Sequence, residues 1–194
     1  IQNHSAYTEG YYNNEIKASS KTLKKDSLKS IETYSQGLKY TDGATKRFID
    51  EINQLDKDVT VVFYGDHLPG IYSYKDGKSI IDKNFALGHL TDYFIYNNKN
   101  NQKLDYPVVA PYEFTSLAMT QTNAKVTPFY ALMTQVQNEL PALEINRYID
   151  NARHSGTLMN LSATQRNLLE DVKMVQYDIY SNQNYLGRSF YQKE

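Results

Sequence analysis

Apolar and polar positions along this chain follow two rhythms. In the first third, Val59-Thr60-Val61-Val62-Phe63-Tyr64 is apolar on both faces, short, and rich in β-branched and aromatic residues, so it predicts a strand. A strand without a polar face suits the centre of a parallel sheet. Upstream, helical patterning starts near Ser20, with Leu28, Ile31, Tyr34 and Leu38 on one stripe. Phe48, Ile52 and Leu55 resume it, with Asp42 placed to interrupt the helix or to cap its second half.

Downstream, Asp92-Tyr93-Phe94-Ile95-Tyr96 predicts a second strand. Residues 111–119 suit a short helix. Thr127-Pro128 reads as an N-cap followed by proline in the first turn, opening a helix with Phe129, Leu132, Met133 and Val136 that Pro141 ends. Ser162-Ala163-Thr164-Gln165 has capping-box spacing, and the helix after it carries Leu168, Val172, Val175 and Ile179 on one face. The rest reads as loop: residues 7–14, residues 68–90 with a short helix at 83–88, residues 97–103, and a polar, aromatic tail from Ser181 to Glu194 that is loose at its end.

Helix, connector and apolar strand in this order are α/β grammar. Two strong strands are few for 194 residues. The chain is therefore expected to be one fragment, 1–194, of a larger domain whose remaining strands lie elsewhere. No internal repeat, low-complexity tract or interdomain linker interrupts it.

Composition narrows the function classes. Lys+Arg is 21 and Asp+Glu 22, a net charge of -1, which argues against a nucleic-acid binder. Lys21, Lys24, Lys25 and Lys29 share their segment with Asp26 and Glu32 and read as a solvated helix face. Cysteine is absent, which excludes disulfides, thiolate catalysis and Cys-based zinc sites. No apolar stretch in these 194 residues is long enough to span a bilayer, and none of them reads as a signal peptide. The 18 tyrosines, with no tryptophan, can pack their rings while leaving hydroxyls wet, as carbohydrate-facing surfaces do, or can be ordinary half-buried residues.

The chemistry concentrates after the first strand, in Tyr64-Gly65-Asp66-His67. Open α/β sheets bind ligands beyond the carboxyl ends of their strands. Asp66 and His67 stand at such an end, with Gly65 there to permit a tight turn. A carboxylate oxygen and an imidazole nitrogen suit Zn²⁺ or Mn²⁺. A strand-end turn with both side chains merely solvated is the other reading. His89, between Gly88 and Leu90, reads as structural or solvated, although its loop could face the same site. His154, beside Arg153 and Ser155, reads as surface. Asp42 reads as a helix cap or ion-pair partner. Asn3-His4-Ser5 and Asn160-Leu161-Ser162 match the glycosylation sequon, which has no meaning in a bacterial protein. No Gly-x-Ser-x-Gly elbow or Walker loop is present.

The order of landmarks resembles the lipoteichoic acid synthase family, within the sulfatase and alkaline phosphatase superfamily. Gln2-Asn3-His4-Ser5, a helical region through Tyr40-Thr41-Asp42, and then Val62-Phe63-Tyr64-Gly65-Asp66-His67 carry the resemblance. Thr91 to Tyr96, Val108 to Met119, Val126 to Tyr130, and Val175 to Ile179 with Asn184-Tyr185-Leu186 extend it over nearly the whole chain.

The resemblance implies the C-terminal portion of an alkaline-phosphatase-like α/β/α sandwich, an incomplete sheet flanked by helices. It implies that Asp66 and His67 are metal ligands, Mn²⁺ first, with Zn²⁺ or Mg²⁺ as alternatives, and that His4 contacts the substrate phosphoryl group. The family's nucleophile is a threonine upstream of the Asn-His motif, expected before Ile1 together with another acidic ligand. No catalytic nucleophile is therefore expected in this chain, and the fragment alone is expected to be inactive.

The implied parent is a transferase that moves glycerol phosphate from a phosphatidylglycerol-like lipid to a cell-envelope glycolipid or polymer through a covalent threonine intermediate. It would be anchored by upstream membrane helices, work on the extracellular face of the cell membrane, and pair this fragment with the upstream half of its own domain. The rival readings are a phosphoethanolamine transferase, phosphodiesterase or sulfatase of the same superfamily, and a non-catalytic module that binds wall polymer through its tyrosines.

Overall fold

A computed structural model describes residues 7–71, 86–100 and 102–192. The chain divides into two compact units. One comprises residues 1–58 and 63–94; the other comprises residues 59–62 and 95–194.

The first unit is dominated by α1, Lys25–Ile52, a single helix of 28 residues. Asp42 neither interrupts nor caps it; it is an exposed residue inside the helix. The expected apolar stripe is not the buried one. Leu38 is exposed, whereas Ser27, Thr33, Gln36 and Gly37 are buried. The cause is the polypeptide running ahead of the helix. Thr33 Oγ1 donates to Thr8 O at 3.3 Å and accepts from Asn14 Nδ2 at 3.0 Å. Gln36 Oε1 accepts from Glu15 N at 3.0 Å, and Glu32 Oε1 from Ala18 N at 3.0 Å. An extended segment outside any sheet must satisfy its peptide groups some other way. Here the polar side chains of α1 do it. Ion pairs of Lys29 with Glu9 and Lys39 with Glu15 flank the contact.

β1, Thr60–Tyr64, forms a two-stranded sheet with β2, Tyr93–Asn97. Gly65 N–H donates to Asp92 O, and Asn98 N–H donates to Val59 O. This pairing is antiparallel. Val62, Phe63 and Tyr64 of β1 are exposed among the described residues, whereas β2 is half-buried and its Ile95 carbonyl accepts from Gln121 Nε2 at 2.8 Å. The stacked rings of Phe63 and Phe94, 4.9 Å apart, support one end of the ribbon. Asn97, fully buried, supports the other: its Nδ2 donates to Thr60 Oγ1 at 2.9 Å and its Oδ1 accepts from Lys99 N and Asn100 N. The first half of the helix expected at 83–88 falls outside the described residues; residues 86–89 form a turn.

The second unit continues through a 3₁₀ turn, Pro111–Glu113, into α2, Phe114–Gln121, and then α3, Pro128–Glu139. Thr127 caps α3 by accepting from Tyr130 N. Its C-terminal carbonyls do not go unpaired: Gln165 Nε2 donates to Glu139 O at 3.2 Å, and the Tyr112 hydroxyl to Leu140 O at 2.6 Å. Three short strands, β3 (Ala142–Leu143), β4 (Arg147–Ile149) and β5 (Ser155–Thr157), then form an antiparallel meander that the sequence reading missed. Gly156 is required there, since a Cβ would lie 2.9 Å from the Tyr148 ring.

The capping box of Ser162 and Gln165 opens α4, Ala163–Ser181. Leu168 and Val175 are buried and Val172 packs on the core, but Ile179 is exposed. Val136, Leu140, Leu161 and Leu168 form the core cluster. The tail is tied down as far as it is described; its end, residues 193–194, lies outside the described residues. Asp178, 4% exposed, accepts from Tyr185 N at 2.6 Å, Leu186 N at 3.3 Å and the Tyr191 hydroxyl at 2.9 Å, tethering the short α5, Arg188–Tyr191.

Candidate metal centre

Asp66 and His67 follow β1 directly, and their position is set by Gly65. Its N–H donates to Asp92 O at 3.1 Å, and its carbonyl accepts from Thr91 Oγ1 at 2.7 Å. Gly65 does not have a positive φ. It is needed for close approach: a Cβ there would lie 3.0 Å from Thr91 Cβ. The strand end is thus held from both sides before the two functional side chains leave it.

Those side chains converge. His67 Nε2 lies 3.7 Å from Asp66 Oδ2, with side-chain exposures of 58% and 66%. Asp66 Oδ1 accepts from His67 N at 3.0 Å, which turns the carboxylate toward the imidazole. His67 Nδ1 lies 3.0 Å from Leu68 O. A carbonyl only accepts, so this contact requires the proton on Nδ1 and leaves the lone pair on Nε2, the nitrogen beside Asp66. An imidazole so oriented by its second nitrogen is a common metal-ligand arrangement.

The pair fits a divalent ion. Bond lengths of about 2.0–2.2 Å to each ligand would hold the two atoms roughly 3.0–3.5 Å apart, a few tenths of an ångström closer than they stand. Among the described residues no group of three or more His, Asp, Glu or Cys side chains could hold a metal ion. Asp66 and His67 are therefore two ligands of a shell that needs others.

His4, the expected phosphoryl contact, lies outside the described residues. Tyr7, three positions later, does not: its hydroxyl pKa is raised by burial, by Tyr34 and by the Asp66 carboxylate, so Asp66 is within its electrostatic reach. Its ring packs edge-on to Tyr34 at 5.4 Å. His89 is exposed in the turn at 86–89. His154 is exposed, with Nδ1 3.2 Å from Asp150 Oδ2. Lys21 and Lys24 are exposed but precede α1, which begins at the exposed Lys25, so the cluster is solvated without forming one helix face.

Sequence reasoning missed Glu113. It is fully buried, neither carboxyl oxygen has a hydrogen-bond partner, and burial pushes its pKa up to about 8 against the opposing influence of the Ser116 hydroxyl. In the sequence it is an ordinary acid near a helix start, a position favoured for reasons unrelated to burial.

Comparison with known proteins adds to this geometry. Residues 1–134 match the Sulfatase family. The solved structure of Streptococcus pyogenes phosphoglycerol transferase GacH in complex with sn-glycerol-1-phosphate aligns with all of this chain and 46% of its own, at a TM-score of 0.80 and 31% identity. A putative cyclic beta-1,2-glucan modification protein of Rhizobium meliloti strain 1021 is 27% identical over 141 residues, 67% of this chain and 22% of that protein. The capsular polysaccharide biosynthesis protein RkpI of the same organism is 44% identical over 46 residues, 24% of this chain and 9% of that protein. The chain thus spans less than half the length of each of these relatives. Its fold is the alkaline-phosphatase-like fold of GacH, with small sheets and a large helical share.

Proposed function

The chain belongs to the sulfatase family, and from that premise we propose that it is part of a metal-dependent phosphoglycerol transferase. The observation that carries this reading is the convergence of Asp66 Oδ2 and His67 Nε2, 3.7 Å apart at the end of β1, in a chain that aligns along its whole length with a phosphoglycerol transferase.

Asp66 and His67 hold two positions around a divalent cation, Mn²⁺ by preference, with the remaining ligands coming from elsewhere in the protein. When bound, such an ion supplies positive charge that polarises a phosphoryl oxygen and favours ionisation of an attacking hydroxyl. Asp66 brings a full negative charge, and His67 is fixed in the ligating tautomer by Leu68. His4 donates a hydrogen bond to a phosphoryl oxygen and stabilises the charge that gathers there.

The donor is a phosphatidylglycerol-like lipid. A threonine outside this chain attacks its phosphorus; the bond to the diacylglycerol oxygen breaks, and glycerol phosphate remains on the threonine. An acceptor hydroxyl then takes the phosphoryl group and frees the threonine. The acceptor is a cell-envelope glycolipid or polysaccharide, and the glycan-related names of the two Rhizobium relatives favour the polysaccharide. No described helix is long and apolar enough to cross a membrane. The site is assigned to the extracellular face of the cell membrane, on a protein anchored by other segments.

The test uses the full-length protein with phosphatidylglycerol vesicles and Mn²⁺, following diacylglycerol release. Asp66→Ala and His67→Ala should each lower the rate at least 100-fold, on the order expected for loss of a metal ligand. Full activity in both variants, or cleavage of sulfate esters or phosphatidylethanolamine in preference to phosphatidylglycerol, would overturn the assignment.

A further inference from the structure

Five tyrosines of the first unit gather where α1 meets the segment that precedes it. Tyr7 packs edge-on to Tyr34 at 5.4 Å. Tyr12 packs edge-on to Tyr40 at 5.2 Å, and Tyr11 edge-on to Tyr12 at 4.7 Å. Tyr34 and Tyr40 are six positions apart on α1, a rise of about 9 Å. Of these rings, Tyr7 is within electrostatic reach of Asp66.

The outer members of the second group are only half covered: Tyr11 is 52% exposed and Tyr40 48%. Edge-to-face packing fixes ring planes. The exposed parts of the Tyr11 and Tyr40 rings are therefore held in a set orientation. The Lys39–Glu15 ion pair stands beside them and adds a donor and an acceptor.

We propose that Tyr11, Tyr12 and Tyr40 form a subsite for the sugar residues of the acceptor glycan. This rests on the glycan-acceptor reading above and extends it to residues that reading does not use. A pyranose has an apolar C–H face and a rim of hydroxyls, which matches a fixed aromatic face flanked by polar groups. A polyanion would find less here, since Lys29 and Lys39 are already paired with Glu9 and Glu15. A lipid chain would gain little from a patch edged by hydroxyls and an ion pair.

The experiment uses the full-length protein and its Tyr11→Ala, Tyr40→Ala and Tyr40→Phe variants. Polysaccharide extracted from the envelope of the source cell is titrated calorimetrically, with dextran of similar mass as the control. Diacylglycerol release from phosphatidylglycerol vesicles without acceptor is followed in parallel.

Each alanine variant should bind the envelope polysaccharide about 3- to 10-fold more weakly, the worth of one aromatic contact. Tyr40→Phe, which keeps the ring, should bind within about twofold of the parent. Donor cleavage should not change. Alanine variants that bind as the parent does, a parent that does not distinguish the polysaccharide from dextran, or a loss confined to vesicle binding would each overturn the subsite. Should Tyr40→Ala fail to fold, the more exposed Tyr11 carries the test. Tyrosine-dependent polysaccharide binding without phosphatidylglycerol cleavage would overturn the transferase reading and leave the subsite standing. Cleavage with tyrosine-independent binding would do the reverse.

Discussion

The hydroxyl of Thr91 donates to the carbonyl of Gly65 at 2.7 Å, while the Thr91 Cβ occupies the space a side chain at position 65 would need. One threonine thus both clamps the strand end and dictates a glycine there. Gly65→Ala should cost about 1–3 kcal/mol in urea unfolding, as crowding into packed structure does. The same variant should bind Mn²⁺ more weakly in the full-length protein, because Asp66 and His67 move with the backbone. A variant as stable and as tight-binding as the parent would show that Thr91 yields freely.

Thr91→Val keeps the shape and removes the donor. The Gly65 carbonyl then loses a hydrogen bond worth about 1 kcal/mol. Thermal unfolding should shift down accordingly, with no change in the phosphorylated products formed.

Glu113 sets a pH dependence. Its folded pKa, about 8, lies above the ordinary value of 4.5, so the folded state binds more protons than the unfolded state between those limits. Stability is highest below about pH 4.5 as far as this group is concerned, falls as pH rises toward 8, and levels above it. The drop is on the order of a few kcal/mol. Glu113→Gln, which cannot ionise, should flatten the stability profile across that window. An unchanged slope in the variant would assign the pH dependence to another group.

Asp178 has the opposite sign. Hydrogen bonds from Tyr185 N, Tyr191 and Leu186 N outweigh burial and hold its pKa below the usual carboxylate value. Its contribution is present above about pH 3.8 and is lost as pH falls through the lowered folded value. Asp178→Asn should therefore accelerate amide exchange at Tyr185 and Leu186 at neutral pH, with the core around Leu168 still protected. Equal protection of both amides in the variant would contradict the tether.

Ser162→Ala removes the hydroxyl that accepts from Gln165 N at 3.1 Å and so breaks the capping box of α4. The expected cost is about 1 kcal/mol, read as a lower urea midpoint with an unchanged m-value.

What could be read beforehand was local. The caps at Thr127 and Ser162 involve residues three positions apart, and both form as the spacing implies. The strand before Gly65 and the pairing of Asp66 with His67 were legible for the same reason. Burial was not. Thr33 and Gln36 are inside because a segment some 20 residues away needs their polar atoms, and no helical periodicity records that. The apolar run 60–64 reads as interior, yet its exposure depends on which layers surround it. Strands β3 to β5 are two or three residues long, too short to show an alternation. Glu113 gave no signal because an acid at a helix start is commonplace.

The side chains that α1 offers to residues 8–18 act as detents, each meeting one particular peptide group. A greasy contact could slide by a residue with little loss, but this one cannot: a single-step slip would unseat Thr8, Glu15 and Ala18 together. The leading segment is thereby indexed like a rack on a pinion, and an insertion or deletion within it would shift Tyr7 against Asp66 rather than be absorbed along the way.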